Sequence, residues 1–370
     1  MKQIKGLDTL RAFAVICVII AHWGPLYYEN EPVGKFIKDF FVPDGATGVY
    51  IFFTLSGFLI TSILLNARFA TNNPDRFGIL KNFVVRRTLR IFPLYYIFMF
   101  AIMHVFDFPD VKQNLPWFLT YTSNILCYKT NNWNSASHTW TLAIEEQFYL
   151  FWPWLILFLN EKYLKYLFIV SIITGVITTY IVLRTKMEPF MVYNCIDSFA
   201  IGGFYSYARL NAERTRKFEK IVKWSAPFSL AIYFMWKISY FELHQDWCLF
   251  MKKTVDSMLA LWLIVLIIKN KSERVRKYLL ENRVLNFVGK VSYCIYLIHP
   301  YLWQFAPKII GFIRASLPNS PKLCDFLTGN TFMYCINLAI VLLISWLSYT
   351  LIEKPILSLK RFFKYSKTEV

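Results

Sequence analysis

Residues Arg11-Ala12-Phe13-Ala14-Val15-Ile16-Cys17-Val18-Ile19-Ile20-Ala21-His22-Trp23-Gly24 place two ionisable side chains eleven positions apart in an otherwise apolar run. A helix needs roughly 17–25 apolar residues to cross a hydrocarbon core of about 30 Å, so this run, continued to Tyr28, predicts a spanning helix over 11–28. It passes signal-peptide length into Trp23 and Tyr27 without a small-residue cleavage site, and is expected to stay on the chain. Eleven helical residues return to within roughly 20° of the same face and rise about 16 Å, so Arg11 and His22 line one stripe. Arg11 then sits near the cytoplasmic edge and His22 about halfway through or beyond. The ordinary reading has Arg11 snorkelling to lipid phosphate and His22 bonding a neighbouring helix. A histidine at membrane depth aligned with an arginine points instead to function.

The same pattern recurs along the chain. The 370 residues are 56% apolar and 17% charged, with 35 Phe, 23 Tyr and 12 Trp, a composition foreign to soluble domains of this length. Further spans are predicted at 46–66, 91–107, 139–159, 163–183, 189–208, 224–243, 252–268, 286–304 and 331–352, giving an all-α bundle of about ten transmembrane helices in a single domain. The net charge of +18 suggests nucleic acid until its distribution is read: most of the 41 basic residues fall in alternate loops. This bias places both termini in the cytoplasm and makes 360–370 a short basic cytoplasmic tail. The partner it implies is the lipid bilayer, not nucleic acid. Seven cysteines without paired spacing suggest neither a metal site nor a disulfide framework. The segment 108–138 is too short in apolar residues to span and reads as an interfacial or re-entrant piece on the outer side.

Two further clusters of charge lie at helix ends. In Val85-Arg86-Arg87-Thr88-Leu89-Arg90-Ile91-Phe92-Pro93, Arg87 and Arg90 are three apart and share a face, and their planar forks suit phosphate. Ordinary positive-inside flanking explains Arg86 better than it explains this deeper pair. In His138-Thr139-Trp140-Thr141-Leu142-Ala143-Ile144-Glu145-Glu146-Gln147-Phe148-Tyr149, Glu145 and Tyr149 share a face while Glu146 points about 100° away. Glu145 is therefore the candidate to orient a histidine base, and Glu146 is expected to sit at an interface near the helix N-terminus. Asp8, His299 and Glu353 lie near helix ends, where structural roles are at least as good an explanation as chemistry. The Ser56-Gly57 step removes bulk from the second helix, for close helix approach or for passage of a ligand.

Taken in order, these residues resemble the acyltransferase 3 family of membrane acyltransferases. The resemblance spans nearly the whole chain: Gly6-Leu7-Asp8-Thr9-Leu10-Arg11-Ala12 with His22, Phe53-Thr54-Leu55-Ser56-Gly57-Phe58, the Arg87 and Arg90 pair, Thr139 through Tyr149, Val291-Ser292-Tyr293-Cys294-Ile295-Tyr296-Leu297-Ile298-His299-Pro300, and Ile352-Glu353-Lys354-Pro355. It implies O-acylation, typically acetylation from acetyl-CoA, of envelope or exported glycans in a bacterial inner membrane. Some members carry an additional extracytoplasmic esterase-like domain; this sequence shows none, so a stand-alone member completing transfer within its membrane domain is expected.

The mechanism expected on this basis has CoA entering from the cytoplasm, its phosphates on Arg87, Arg90 and Arg11, with the thioester reaching His22. His22 acts as general base on a carbohydrate or glycolipid hydroxyl, Glu145 orients it, and His138, Trp140 and Tyr149 contact substrate. An acyl-histidine intermediate is the chemical alternative. The rival class is a proton-coupled transporter or flippase, which also places charges at membrane depth but commonly shows an internal repeat not visible here.

Overall fold

The computed structural model describes residues 4, 6–28, 43–106, 108–133, 135–185, 187–241, 249–302, 306–316 and 321–365. Their regular structure is entirely helical. The principal helices are α1 (Leu7–Tyr28), α2 (Gly45–Arg68), α3 (Arg76–Ala101), α4 (Trp140–Phe158), α5 (Glu161–Arg184), α6 (Val192–Ala208), α7 (Ala212–Phe241), α8 (Leu249–Lys269), α9 (Arg283–Lys290), α10 (Ser292–Leu302) and α11 (Asn330–Ser348). Among the described residues three helical stretches, Gly45–Arg68, Glu161–Arg184 and Asn330–Phe362, are long and apolar enough to cross a membrane. α8 is long enough too, but Lys252, Lys253, Asp256 and Lys269 raise its charge.

The helices depart from the expected spans where polar residues extend or interrupt them. α3 begins at Arg76, well before the apolar run at 91, because the Asp75 carboxylate accepts from the Gly78 amide at 2.9 Å and satisfies the first turn. The span expected over 286–304 is broken at Val291 into α9 and α10. Asn282 caps α9 by accepting from the Val284 and Leu285 amides at 2.9 and 3.1 Å. The segment after α3 folds as three short helices, Pro109–Gln113, Leu115–Leu119 and Ser123–Thr130.

The chain forms two compact units. The larger comprises 1–4, 49–271 and 355–370 and holds most of α2 with α3 to α8. Its tightest seam joins α2 to α6. A β-carbon at Gly57 would lie 2.0 Å from the Phe199 carbonyl oxygen, and one at Gly202 would lie 2.0 Å from that of Thr54, so each helix presents a glycine to the other's backbone. Close helix approach is thus what the small Ser56-Gly57 step provides. Phe199 then stacks between Phe53 and Phe148, at 4.7 and 4.1 Å between ring centres. Gly57→Val should cost about 1–3 kcal/mol through overpacking, seen as earlier unfolding in detergent titrations. Gly311→Ala, inside the helix Ala306–Ser316 with nothing within 4 Å, should instead leave stability equal or raise it by up to about 1 kcal/mol.

The same unit buries two ion pairs that the sequence reading passed over. Lys253 of α8 pairs with Asp197 of α6 at 2.9 Å and donates to Thr179 Oγ1 at 2.6 Å, while Thr254 Oγ1 donates to Asp197 Oδ2 at 2.8 Å. Lys252 pairs with Asp256 at 2.6 Å and lies over the Trp236 ring.

The smaller unit, 5–48 and 272–354, packs α9, α10 and α11 around α1. A β-carbon at Gly289 would meet the Asp8 carbonyl oxygen at 1.8 Å, so α9 crosses the start of α1 backbone to backbone. Thr9 Oγ1 fixes this end by donating to the Leu279 carbonyl at 3.1 Å.

Candidate active site

In the larger unit, α2, α3 and α4 bring together the residues flagged at both charged helix ends. Ser56 Oγ donates to Glu145 Oε1 at 2.8 Å and lies 3.2 Å from Tyr149 Oη. The i, i+4 spacing of Glu145 and Tyr149 lets one serine on a facing helix reach both. Arg87 lays its guanidinium 5.5 Å from the centres of the Tyr149 and Phe83 rings, one from its own helix and one from α4. Arg87 and Arg90 are both near enough to act electrostatically on Glu145. The Arg87 guanidinium makes no hydrogen bond or ion pair among the described residues and is flanked by these two aromatic rings. Ser56→Ala should release Glu145 from a charge-assisted bond of about 1.5–3 kcal/mol, and a fall in turnover of roughly tenfold is expected from initial-rate assays.

Beside Arg87 lies a cavity of about 330 Å³, lined on one side by Phe83, Phe92 and Tyr149 and closed on another by Thr120, Tyr121 and Thr122. The closing turn is held by Gln147, whose amide donates to the Tyr121 carbonyl at 3.0 Å and to Asn124 Oδ1 at 2.9 Å. Tyr121 adopts a φ of 53°, a left-handed conformation costly for a bulky residue, and stacks on Phe92 and Tyr95 in mid-α3. The short helices thus turn back onto the middle of α3. Glu146 also lines this cavity, and its buried Oε1 has no hydrogen-bond partner among the described residues. The sequence reading set Glu146 aside for an interface; its place is beside Arg87.

In the smaller unit, His22 sits on the exposed side of α1. Its Nδ1 lies 2.8 Å from the Val18 carbonyl oxygen. A carbonyl only accepts, so Nδ1 carries the proton and the lone pair of the neutral ring is on Nε2. Next to it Trp23, fully buried, donates its indole N–H to the His299 carbonyl at 3.1 Å and fixes α1 against α10. The His299 ring meets His22 edge-on at 4.9 Å between centres. Arg11, on the same stripe a few turns earlier, is ion-paired to Asp8.

The model of the acyltransferase 3 family, described as an acyltransferase domain, matches residues 4–350. The chain belongs to the acyltransferase 3 family. Among its relatives are two proteins of Staphylococcus aureus: one of strain COL, provisionally named an O-acetyltransferase, 28% identical over 96% of this chain, and the O-acetyltransferase OatA of strain NCTC 8325, 26% identical over the same share. This acyltransferase 3 chain spans 57% of the length of each. No solved structure matches it.

Placed on this acyltransferase 3 chain, the residues picked from sequence divide between the units: Arg87, Arg90, Glu145 and Tyr149 converge in the larger, and Arg11 and His22 lie in the smaller. His138 is buried in a 3-10 turn at 137–139 with its ring edge-on to Phe98, and Trp140 packs on Phe190 and Phe53. His22 takes its orientation at Nδ1 from the Val18 carbonyl, while Glu145 is bonded to Ser56. Ser56, Glu146, Gln147 and His299 were not singled out as chemical groups from sequence. For Ser56 and His299 the signal was available, since both fall inside motifs that carried the resemblance.

Proposed function

We propose that this chain is a multi-pass membrane O-acyltransferase that takes an acyl group, in the first instance acetyl, from cytoplasmic acyl-CoA and places it on a hydroxyl of an extracytoplasmic or lipid-linked carbohydrate. The setting is a bacterial cell membrane crossed about ten times, with both termini in the cytoplasm, as the alternation of basic loops supports. Family membership supports acyl transfer, and the names of the Staphylococcus aureus relatives support oxygen as the accepting atom.

The observation that carries the reading is the tautomer of His22. With Nδ1–H committed to Val18, Nε2 is a base on an exposed ring. Nε2 removes the proton from the acceptor hydroxyl as its oxygen bonds to the thioester carbonyl carbon. Collapse of the tetrahedral adduct breaks the carbon–sulfur bond, and the imidazolium returns its proton to the departing thiolate of CoA. Atoms and charges balance without a metal or an external acid. Arg87 and Arg90 are assigned the phosphates of CoA, Arg87 because its donors are free of internal bonds, with Glu145 setting the field around the pair. The cavity walled by Phe83, Phe92 and Tyr149 suits the thin arm that follows such a head group.

Membranes containing the protein, given radiolabelled acetyl-CoA and a cell-envelope glycan fraction, should form label that is released by mild alkali, the behaviour of an O-ester. Absence of alkali-labile label with acetyl-, succinyl- and longer acyl-CoA donors alike would rule the reading out.

A further inference from the structure

The segment that follows α11 turns back onto α3 within the larger unit. Arg86 donates from Nη1 to the carbonyls of Lys360 and Phe363 at 3.2 and 2.9 Å and places its guanidinium 4.8 Å from the Tyr365 ring centre. Asn82, one turn earlier, donates to the Lys364 carbonyl at 2.6 Å. Four contacts from one face of α3 therefore strap residues 360–365 along it. Arg86 is neither free flanking charge nor a ligand contact but a clamp, and 360–365 is not loose in solvent.

Clamping the backbone holds Lys360 against α3. It is half-buried, and Arg86, Arg87 and Arg90 all lie in electrostatic reach of its ammonium. The strap therefore holds Lys360 beside α3 with its ammonium in electrostatic reach of the arginine pair. Nothing among the described residues hydrogen-bonds or ion-pairs to its Nζ, and the same holds for the guanidinium of Arg87. The Lys360 ammonium and the Arg87 guanidinium are like charges in electrostatic reach of one another, each without a hydrogen bond or ion pair among the described residues, and by themselves they repel. Such a cluster makes sense when a multiply charged anion completes it.

We propose that Lys360 is a donor-binding residue: strapped to α3 by Arg86 and Asn82, it joins Arg87 and Arg90 in a site for the nucleotide phosphates of acyl-CoA. The inference rests on the acyl-CoA reading above and adds to it a third cation, from the far end of the chain, that neither the arginine motif nor the cavity reveals. An anionic lipid head group offers the same phosphate chemistry, so the test separates the two sources.

The full chain, wild type and with Lys360→Met or Lys360→Arg, is reconstituted into phosphatidylcholine vesicles, and binding is measured calorimetrically with coenzyme A and, by competition, with pantetheine, which lacks the nucleotide. Loss of one charge-assisted contact should weaken coenzyme A binding about tenfold in the methionine variant. The arginine variant should recover to within a few-fold, and pantetheine should bind all three proteins alike. Coenzyme A affinity unchanged by Lys360→Met, beside a wild type that binds it, overturns the role of Lys360 and leaves the acyl-CoA reading standing. A wild type that binds no coenzyme A overturns both. Equal weakening toward coenzyme A and pantetheine would mean that Lys360 only shapes the fold, and an effect confined to vesicles containing anionic lipid would assign it to head groups; either result contradicts the proposal.

Discussion

His22→Gln lowers the turnover of acyl transfer by 100-fold or more while leaving the donor KM within a few-fold of wild type. Glutamine keeps an amide N–H that can reach the Val18 carbonyl, the bond that orients His22 at 2.8 Å, but has no basic nitrogen to replace Nε2. What is removed is proton transfer alone, which contributes about 10²–10⁴-fold where a side chain serves as general base. Packing losses should be small, because His22 is exposed while its neighbour Trp23 carries the buried contact to α10. His22→Ala makes the complementary case. It opens a gap on an exposed face, and added imidazole should restore part of the lost rate. Initial rates across donor concentrations give the split between kcat and KM; a glutamine variant within threefold of wild type in kcat would remove His22 from the chemistry.

The second large effect concerns stability. Asp197→Ala leaves the Lys253 ammonium 2% exposed, inside a helical cluster read as membrane-spanning, with Thr179 and backbone carbonyls for company. Removing one member of a buried pair commonly costs about 3–5 kcal/mol, because the remaining charge is neither solvated nor neutralised. The Asp197→Leu, Lys253→Met double variant removes both charges and should regain most of that loss, since an apolar pair of similar volume is often neutral or better. Unfolding in mixed micelles by denaturant reads both. If the alanine variant unfolds with the wild type, the pair contributes nothing and α6 and α8 are held by other contacts.

The sequence patterns read most truly where one helix carries the whole signal. The three-residue step from Arg87 to Arg90 and the four-residue step from Glu145 to Tyr149 fix shared faces by helical period alone, and both pairs face into the larger unit's site. Ser56 illustrates what such reading misses. It is 89 residues from Glu145, and no periodicity on α4 names its partner on α2. Apolar runs also located helices better than they located helix ends. α3 starts fifteen residues before its apolar run, since Asp75 capping and exposed polar residues are compatible with a helix that hydropathy does not register.

The buried pairs of α6 and α8 were legible in principle. Asn194, Asp197 and Ser198 recur at i, i+3 and i+4 on α6, and Lys253 and Ser257 at i and i+4 on α8, so each helix bears a polar stripe within an apolar background. In the expected span over 252–268, Lys252 and Lys253 stand at the very start, where a charge reads as an ordinary helix end, and this hid the stripe. The position of Lys360 could not be read at all: nothing in a short basic segment after the last long helix says that Arg86 and Asn82 will hold it against α3.

The most direct test is one of sidedness. The protein is reconstituted in one orientation into sealed vesicles that contain a glycan acceptor inside, and labelled acetyl-CoA is added only outside, against the basic loops. The account predicts alkali-labile label on the enclosed acceptor, formed without entry of intact CoA into the lumen and abolished by His22→Gln. Label found only on acceptor supplied on the donor's own side, or enclosed label that persists in the glutamine variant, would contradict transfer across the bilayer through this site.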